Sequence, residues 1–224
     1  MNYPLFAFSQ HLATQELPTA VRAVIGKLLR RATPLTQLAL TGALACLPAE
    51  RRALPTALLW QSTHGPLLET ARLLTEVCHG AGEPMPYDFL ATQPAIAAAQ
   101  IQPFLPGLQS ATHFPLAEEG QANWSLLLTL GARWLNAGRY QQVLCAHLDS
   151  EGEQHEGHWL VLTRAPLEIA AIRLHLAASG NTANLPDTPD LPRRLADWLS
   201  GSSTSAIHLE SPAQPALAVE FARI

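Results

Sequence analysis

Three stretches carry residues whose type and spacing can do chemistry. The first, residues 110–138, reads as a strand over 111–117, a tight turn at Glu118-Glu119-Gly120-Gln121, and a long helix from Trp124. A strand feeding such a turn presents one side chain at a helix N-terminus, where unpaired N–H groups and the helix dipole favour negative charge. Enzymes place a nucleophile there. This chain has Gln121, an amide without useful nucleophilicity, where a cysteine could be activated by a lowered pKa. In the first turn of a helix a glutamine can also simply bond to free N–H groups or to its neighbours. The second stretch, residues 147–158, is dense in possible metal ligands, among them His147, Asp149, His155, Glu156 and His158. Its spacing does not match a His-Glu-x-x-His helix, and Gly152 and Gly157 suggest a turn. It reads as a solvated hairpin, and no metal is expected. The third is His64-Gly65 after an apolar strand, which resembles a catalytic base but reads better as a structural turn. Serine-hydrolase elbows, Walker loops and Gly-x-Gly-x-x-Gly turns do not occur, so those chemistries lack support.

The elements that must position these residues follow from periodicity. In the helix from Trp124, residues Leu127, Leu128, Ala132 and Leu135 share a face with Trp124. Leu126, Leu130 and Trp134 fill the opposite flank, which predicts a buried helix stopped by Gly138. Residues 1–17 read as a lead-in with aromatic anchors Tyr3, Phe6 and Phe8. Helices are expected over 18–31, 34–47, 66–79 and an alanine-rich 94–104, and a buried strand over 56–61. A polar hairpin loop over 151–157 precedes strands at 159–162 and 170–176. Residues 179–192 read as a surface loop, 195–199 as a short helix, and 207–210 with 216–221 as a closing strand pair. This order predicts an α/β fold, a mostly parallel sheet flanked by helices on both faces with antiparallel edge strands. One domain is expected over 1–224, with a core at about 20–178 and a C-terminal appendage at about 179–224.

Several short segments together resemble the β-ketoacyl synthases of the thiolase superfamily, over about residues 20–165. They are Leu29-Arg30-Arg31-Ala32-Thr33 before a helix, Ser62-Thr63-His64-Gly65 after a strand, Asp88-Phe89 before the alanine-rich helix, and Leu135-Asn136-Ala137-Gly138. Within that superfamily the chain is similar to the small chain-length-factor type. Counted back from Leu135-Asn136-Ala137-Gly138, Gln121 falls on the position of the active-site cysteine, where chain-length factors carry glutamine. The resemblance implies a thiolase-like half-fold, and a buried Gln121 amide could fill and close the vacated oxyanion pocket. It further implies a non-catalytic subunit paired with a catalytic ketosynthase that works on an acyl carrier protein, as in aryl polyene and other polyketide systems. The strand 111–117 would pair across the dimer axis. Phe89, Gln93, Ile96, Ala97, Gln100 and Phe114 would bound the partner's acyl tunnel, with Trp124 beside them. Active ketosynthases also use two histidines and a lysine from a second half-fold. Here Lys27 is the one lysine, and His147, His155, His158, His175 and His208 lie in other settings. The alternative is a glutamine-type malonyl decarboxylase acting by itself.

Composition agrees with a partner-dependent protein. Of the 224 residues 48% are hydrophobic and only 14% charged, a lean polar coat that predicts a large apolar interface. A net charge of −4 without a long basic run disfavours nucleic acid. Cys46, Cys78 and Cys145 read as reduced core thiols, and the start lacks a signal-peptide pattern, so a cytoplasmic protein is expected. No apolar run is long enough to span a membrane, and no cofactor is expected.

Overall fold

Alternation of buried side chains decides the architecture. In the strand β2 (Thr56–Ser62), Ala57 and Leu59 belong to one core, and Leu58 and Trp60 to another. A strand apolar on both faces needs helices on both sides. The computed structural model describes residues 2–116, 120–165, 167–176, 183–212 and 214–224. Before β2 come β1 (Asn2–Ala13), α1 (Leu17–Ile25) and α2 (Pro34–Cys46). After it come α3 (Leu67–His79), α4 (Pro86–Ala91), α5 (Ala95–Ile101) and β3 (Leu108–Pro115). Next are α6 (Trp124–Asn136), β4 (Gln142–Glu151), β5 (Gln154–Thr163) and β6 (Ile172–Leu176). Last are β7 (Asn184–Pro186), α7 (Leu191–Gly201), β8 (Ala206–Glu210) and β9 (Val219–Arg223).

The nine strands form one sheet in the order β3-β2-β4-β5-β1-β6-β9-β8-β7. Helices α1 and α2 cover one face with Leu17, Val21, Leu38 and Leu44; α6 and α7 cover the other with Trp124, Leu128, Leu195 and Trp198. The α/β class and the helices on both faces are as the sequence suggests. Parallel pairing is confined to β3-β2-β4 and β7-β8, and the other neighbours are antiparallel. The sheet also repeats itself. β1-β5-β4-β2 and β6-β9-β8-β7 have the same order, two antiparallel pairs followed by a parallel one. A helix, α6 or α7, precedes the third strand of each set. The fold therefore extends past one half: a second, shorter repeat is present in residues 172–223.

Local chemistry explains the helix ends. Thr33 is extended, its Oγ1 accepts from the Thr36 N–H at 3.2 Å, and Pro34 starts α2. α1 ends at Gly26, whose φ of +73° is the left-handed cap, so the predicted helix over 18–31 stops early. In α6 the residues Trp124, Leu127, Leu128, Ala132 and Leu135 are fully buried, as the periodicity predicts.

Other expectations are corrected. The lead-in over 1–17 is the central strand β1, because Tyr3 and Leu5 fill one core while Phe6 and Phe8 pack on the other. The hairpin loop over 151–157 shrinks to a turn at Gly152 and Glu153, since β4 and β5 pair up to Glu151 and Gln154. The alanine-rich helix is the short α5, with α4 before it, because Pro94 begins a new helix. The loop over 179–192 contains β7 and the start of α7; residues 177–182 lie outside the described residues. No helix among the described residues is long and apolar enough to cross a membrane.

Candidate functional site

β2, β3 and β4 run parallel, and their C-terminal ends meet the start of α6. Gln61 stands opposite Phe114 on β3 and His147 on β4. The chain leaves β3 with the Leu116 N–H on the Ser62 carbonyl at 3.0 Å. The expected turn residues Glu118 and Glu119, and the strand end Ala117, lie outside the described residues. Gly120 follows in the left-handed region at φ +74°, then Gln121, Ala122 and Asn123 lead into α6.

The N–H groups at the start of α6 are occupied from two directions. The Gln61 Oε1 accepts from Asn123 N–H at 2.8 Å. Asp187, just after β7, accepts from Trp124 N–H at 3.0 Å and Ser125 N–H at 3.2 Å, one bond to each carboxylate oxygen. The helix therefore receives its anion from the second repeat, where N–H groups and dipole favour one. Burial pushes the Asp187 carboxyl above its ordinary value, against the N–H bonds from Ser125 and Trp124 and the hydroxyls of Ser211 and Ser125. Trp124 is locked by the same segment, its indole N–H donating to the Thr188 carbonyl at 2.9 Å.

Gln121 lies outside this arrangement. It is exposed, three residues ahead of Trp124, and so does not seal a pocket at the helix N-terminus as a buried amide would. With Ala122, Asp187, Thr188 and Glu210 it borders a cavity of about 680 Å³. Among the described residues no cysteine sits at the start of α6. Cys46 and Cys145 are buried, and burial pushes both thiols up, away from thiolate character. Cys78 is exposed on α3, so it is no core thiol.

The remaining sequence candidates separate onto the two faces of the sheet. Phe114 is half-buried against the α6 side, and Trp124 is fully buried in that core. On α4 and the segment leading into α5, Phe89 and Gln93 are exposed. On α5, Ala97 is buried, while Ile96 and Gln100 are half-buried. Beside the strand ends, the Ser62 Oγ and His113 Nε2 are 2.7 Å apart, and the His113 ring lies on Trp60 with centroids 4.1 Å apart. Burial lowers the His113 pKa. Asp149 accepts from Thr63 N–H, His64 N–H and His147 Nε2. Its burial acts to raise its pKa, but the bonds from His147, His64 and Thr63 outweigh this and hold it below the usual range. His64 is thus part of a pinned turn, as expected. Sequence reasoning missed Asp187 and Gln61, and it named Asp149 as a possible metal ligand, not as the acceptor that pins the turn after β2. Asp187 lies in a proline- and aspartate-rich segment that gives no local sign of capping a helix more than sixty residues earlier.

No family model and no curated protein matches the sequence. Solved structures do match in fold. A chain from the complex of the ketosynthase ApeO with its chain length factor ApeC from Xenorhabdus doucetiae superimposes with a TM-score of 0.58 at 15% identity, over 100% of this chain and 100% of that one. The ishigamide ketosynthase/chain length factor gives 0.62 at 12% identity, over 99% of this chain and 98% of that one. An OleA variant from Xanthomonas campestris gives 0.50 at 11% identity, over 100% and 98%. At these identities the likeness speaks for fold alone: the chain shares the fold of these ketosynthase and chain-length-factor structures.

Proposed function

We propose that this chain is a non-catalytic, chain-length-factor-like subunit that pairs with a catalytic β-ketoacyl synthase and helps shape its acyl tunnel. The observation that carries the reading is the start of α6. The N–H groups of Asn123, Trp124 and Ser125, which could otherwise receive a developing negative charge, are held by Gln61 and Asp187, and the position before them carries Gln121 instead of a cysteine. A carboxylate on those groups repels a developing oxyanion. The matched structures of a ketosynthase with its chain length factor support pairing. So does β3, which among the described residues lies at the edge of the sheet with one pairing side open. The elements joining β2 to β3 expose Leu67, Leu74 and Val77 on α3 and Phe89 and Leu90 on α4, an apolar surface suited to a partner. In this reading the carrier protein serves the partner, the pathway is of polyketide or aryl polyene type, and Phe89, Gln93, Ile96 and Gln100 face the growing chain.

Co-expression with a candidate ketosynthase tests the pairing. A stoichiometric complex is expected, weakened at least tenfold by Leu74→Lys with Val77→Lys, substitutions at exposed positions that leave the fold intact. Intact-mass measurement after incubation with an acylated carrier protein is expected to find no adduct on this chain, and an adduct on Cys46, Cys78 or Cys145 overturns the non-catalytic reading. A second reading, malonyl-carrier decarboxylation, is favoured by the place of Gln121 at the cavity rim. It requires carbon dioxide release by the lone chain that is lost in Gln121→Ala.

A further inference from the structure

The ligand-dense stretch 147–158 is not a solvated loop. It forms paired strands, and a residue from β1 completes a cluster within it. β1 and β5 are antiparallel, with Ser9 opposite His158 and His11 opposite Glu156. Because side chains alternate along a strand, these four residues share one face of the sheet. One oxygen or ring nitrogen from each of His11, Glu156 and His158 lies within 4.8 Å of the others. Both imidazoles direct Nε2 at the same carboxylate oxygen, Glu156 Oε1, with His11 at 3.3 Å and His158 at hydrogen-bond distance. Both rings meet the carboxylate in ion-pair contacts that gather three potential metal ligands at one place between β1 and β5.

The surroundings have the features of a built site. His158 is fully buried, and its Nδ1 is 3.0 Å from the Ser9 Oγ, a contact that holds the ring with Nε2 turned to the cluster. His11 is exposed, which gives an ion a way in. Behind the cluster, His147 is buried opposite His158, its Nε2 on Asp149 and its Nδ1 without a hydrogen-bond partner among the described residues. Arg193 of α7 acts on Glu156 electrostatically, but Asp190 engages its guanidinium at 2.6 Å. We infer that His11, Glu156 and His158 form a binding site for a divalent transition metal of the zinc class, which ties β1 to β5. Two imidazoles and one carboxylate suit zinc and the later first-row metals, whereas calcium and magnesium prefer all-oxygen sets. Tetrahedral zinc needs donors about 3.3 Å apart, so the His158–Glu156 contact must open and the wider spacings close, movements available to the half-buried Glu156 and the exposed His11.

The inference is independent of the proposed pairing with a ketosynthase. Its test uses the full chain carrying Cys78→Ser, which removes the exposed thiol as a rival ligand, after chelator treatment. Titration with zinc alone against a competing chelator is expected to give one equivalent bound with a dissociation constant below about 1 µM. His11→Ala and Glu156→Gln are expected to weaken binding at least tenfold, and Ser9→Ala by about 10–100-fold through loss of the ring's support. Cobalt in place of zinc is expected to give visible d–d absorption that disappears in His11→Ala. Absence of stoichiometric binding at micromolar zinc, or unchanged affinity in His11→Ala and Glu156→Gln, overturns the proposal. Should the variants fail to fold, histidine ring resonances of the chain with native ligands decide it. His11 and His158 signals that shift together on zinc addition support the site, and signals that stay fixed overturn it.

Discussion

Asp187 is the residue whose removal separates a filled helix terminus from an idle one. Asp187→Ala leaves the Trp124 and Ser125 N–H groups buried without an acceptor, and is expected to cost about 1–3 kcal/mol in urea unfolding. Asp187→Asn keeps one acceptor oxygen and is expected to cost less; equal stability of the alanine variant and the parent would show that the contact contributes nothing. His113 and His155 predict a pH dependence. Burial lowers both pKa values, so the unfolded chain takes up protons near pH 6.5 while the folded chain does not. Their contribution to stability is complete above about pH 7 and is lost as the pH falls through 6.5 towards the lowered folded values. Melting curves at pH 7.5 and pH 5.5 are expected to differ by a smaller margin in His113→Gln with His155→Gln than in the parent. An identical margin in both would remove these histidines as the cause. At this scale the sequence named Gln121 just ahead of α6, although Glu118 and Glu119 of its expected turn lie outside the described residues. It did not yield the residues that bind the helix N–H groups, because Gln61 and Asp187 reach them only through tertiary structure.

Among the elements, α2 and β5 meet more closely than ordinary helix–sheet packing. Gly42 of α2 and Gly157 of β5 both face the Trp159 ring, and a Cβ at either position would fall inside the indole. In an exposed helix, glycine to alanine stabilises by about 1 kcal/mol. Here Gly42→Ala is expected to reverse that sign and destabilise by about 1–3 kcal/mol, as overpacking does, measured by urea unfolding. A stabilised variant would mean that the Trp159 ring moves aside freely. The two aromatic tunnel candidates lie in different elements and predict different outcomes. Phe89 is exposed on α4, so Phe89→Ala is expected to lengthen the products of the complex without lowering the melting temperature. Phe114 packs against the α6 core, so Phe114→Ala is expected to lower the melting temperature with or without a change in product length. An unchanged product distribution for Phe89→Ala in an intact complex would take α4 out of the tunnel wall. Helices α2 and α6 and strand β2 were legible in the sequence because caps, glycine stops and dense apolar patterns are local. β1 was not, since its polar half, Ser9-Gln10-His11, resembles a loop until β5 is placed beside it.

For the molecule as a whole, the open edge of β3 and the exposed apolar residues of α3 and α4 predict poor behaviour of the chain alone. Light scattering of the lone chain is expected to show self-association, and co-expression with the proposed ketosynthase partner a single heterodimer burying on the order of 2,000 Å² or more. A monodisperse monomer at high concentration would count against an obligate interface. The central position of β1 also has a consequence for biosynthesis. Ser9 must wait for His158, 149 residues later in the chain, before it meets its strand partner. At ordinary elongation rates that interval lasts about 7–30 s, during which the aromatic side chains Tyr3, Phe6 and Phe8 lie on a strand without its β5 neighbour. A nascent chain thus carries an unpaired amphipathic strand until β5 and β6 emerge, and the two repeats, which meet at β1, can join only then.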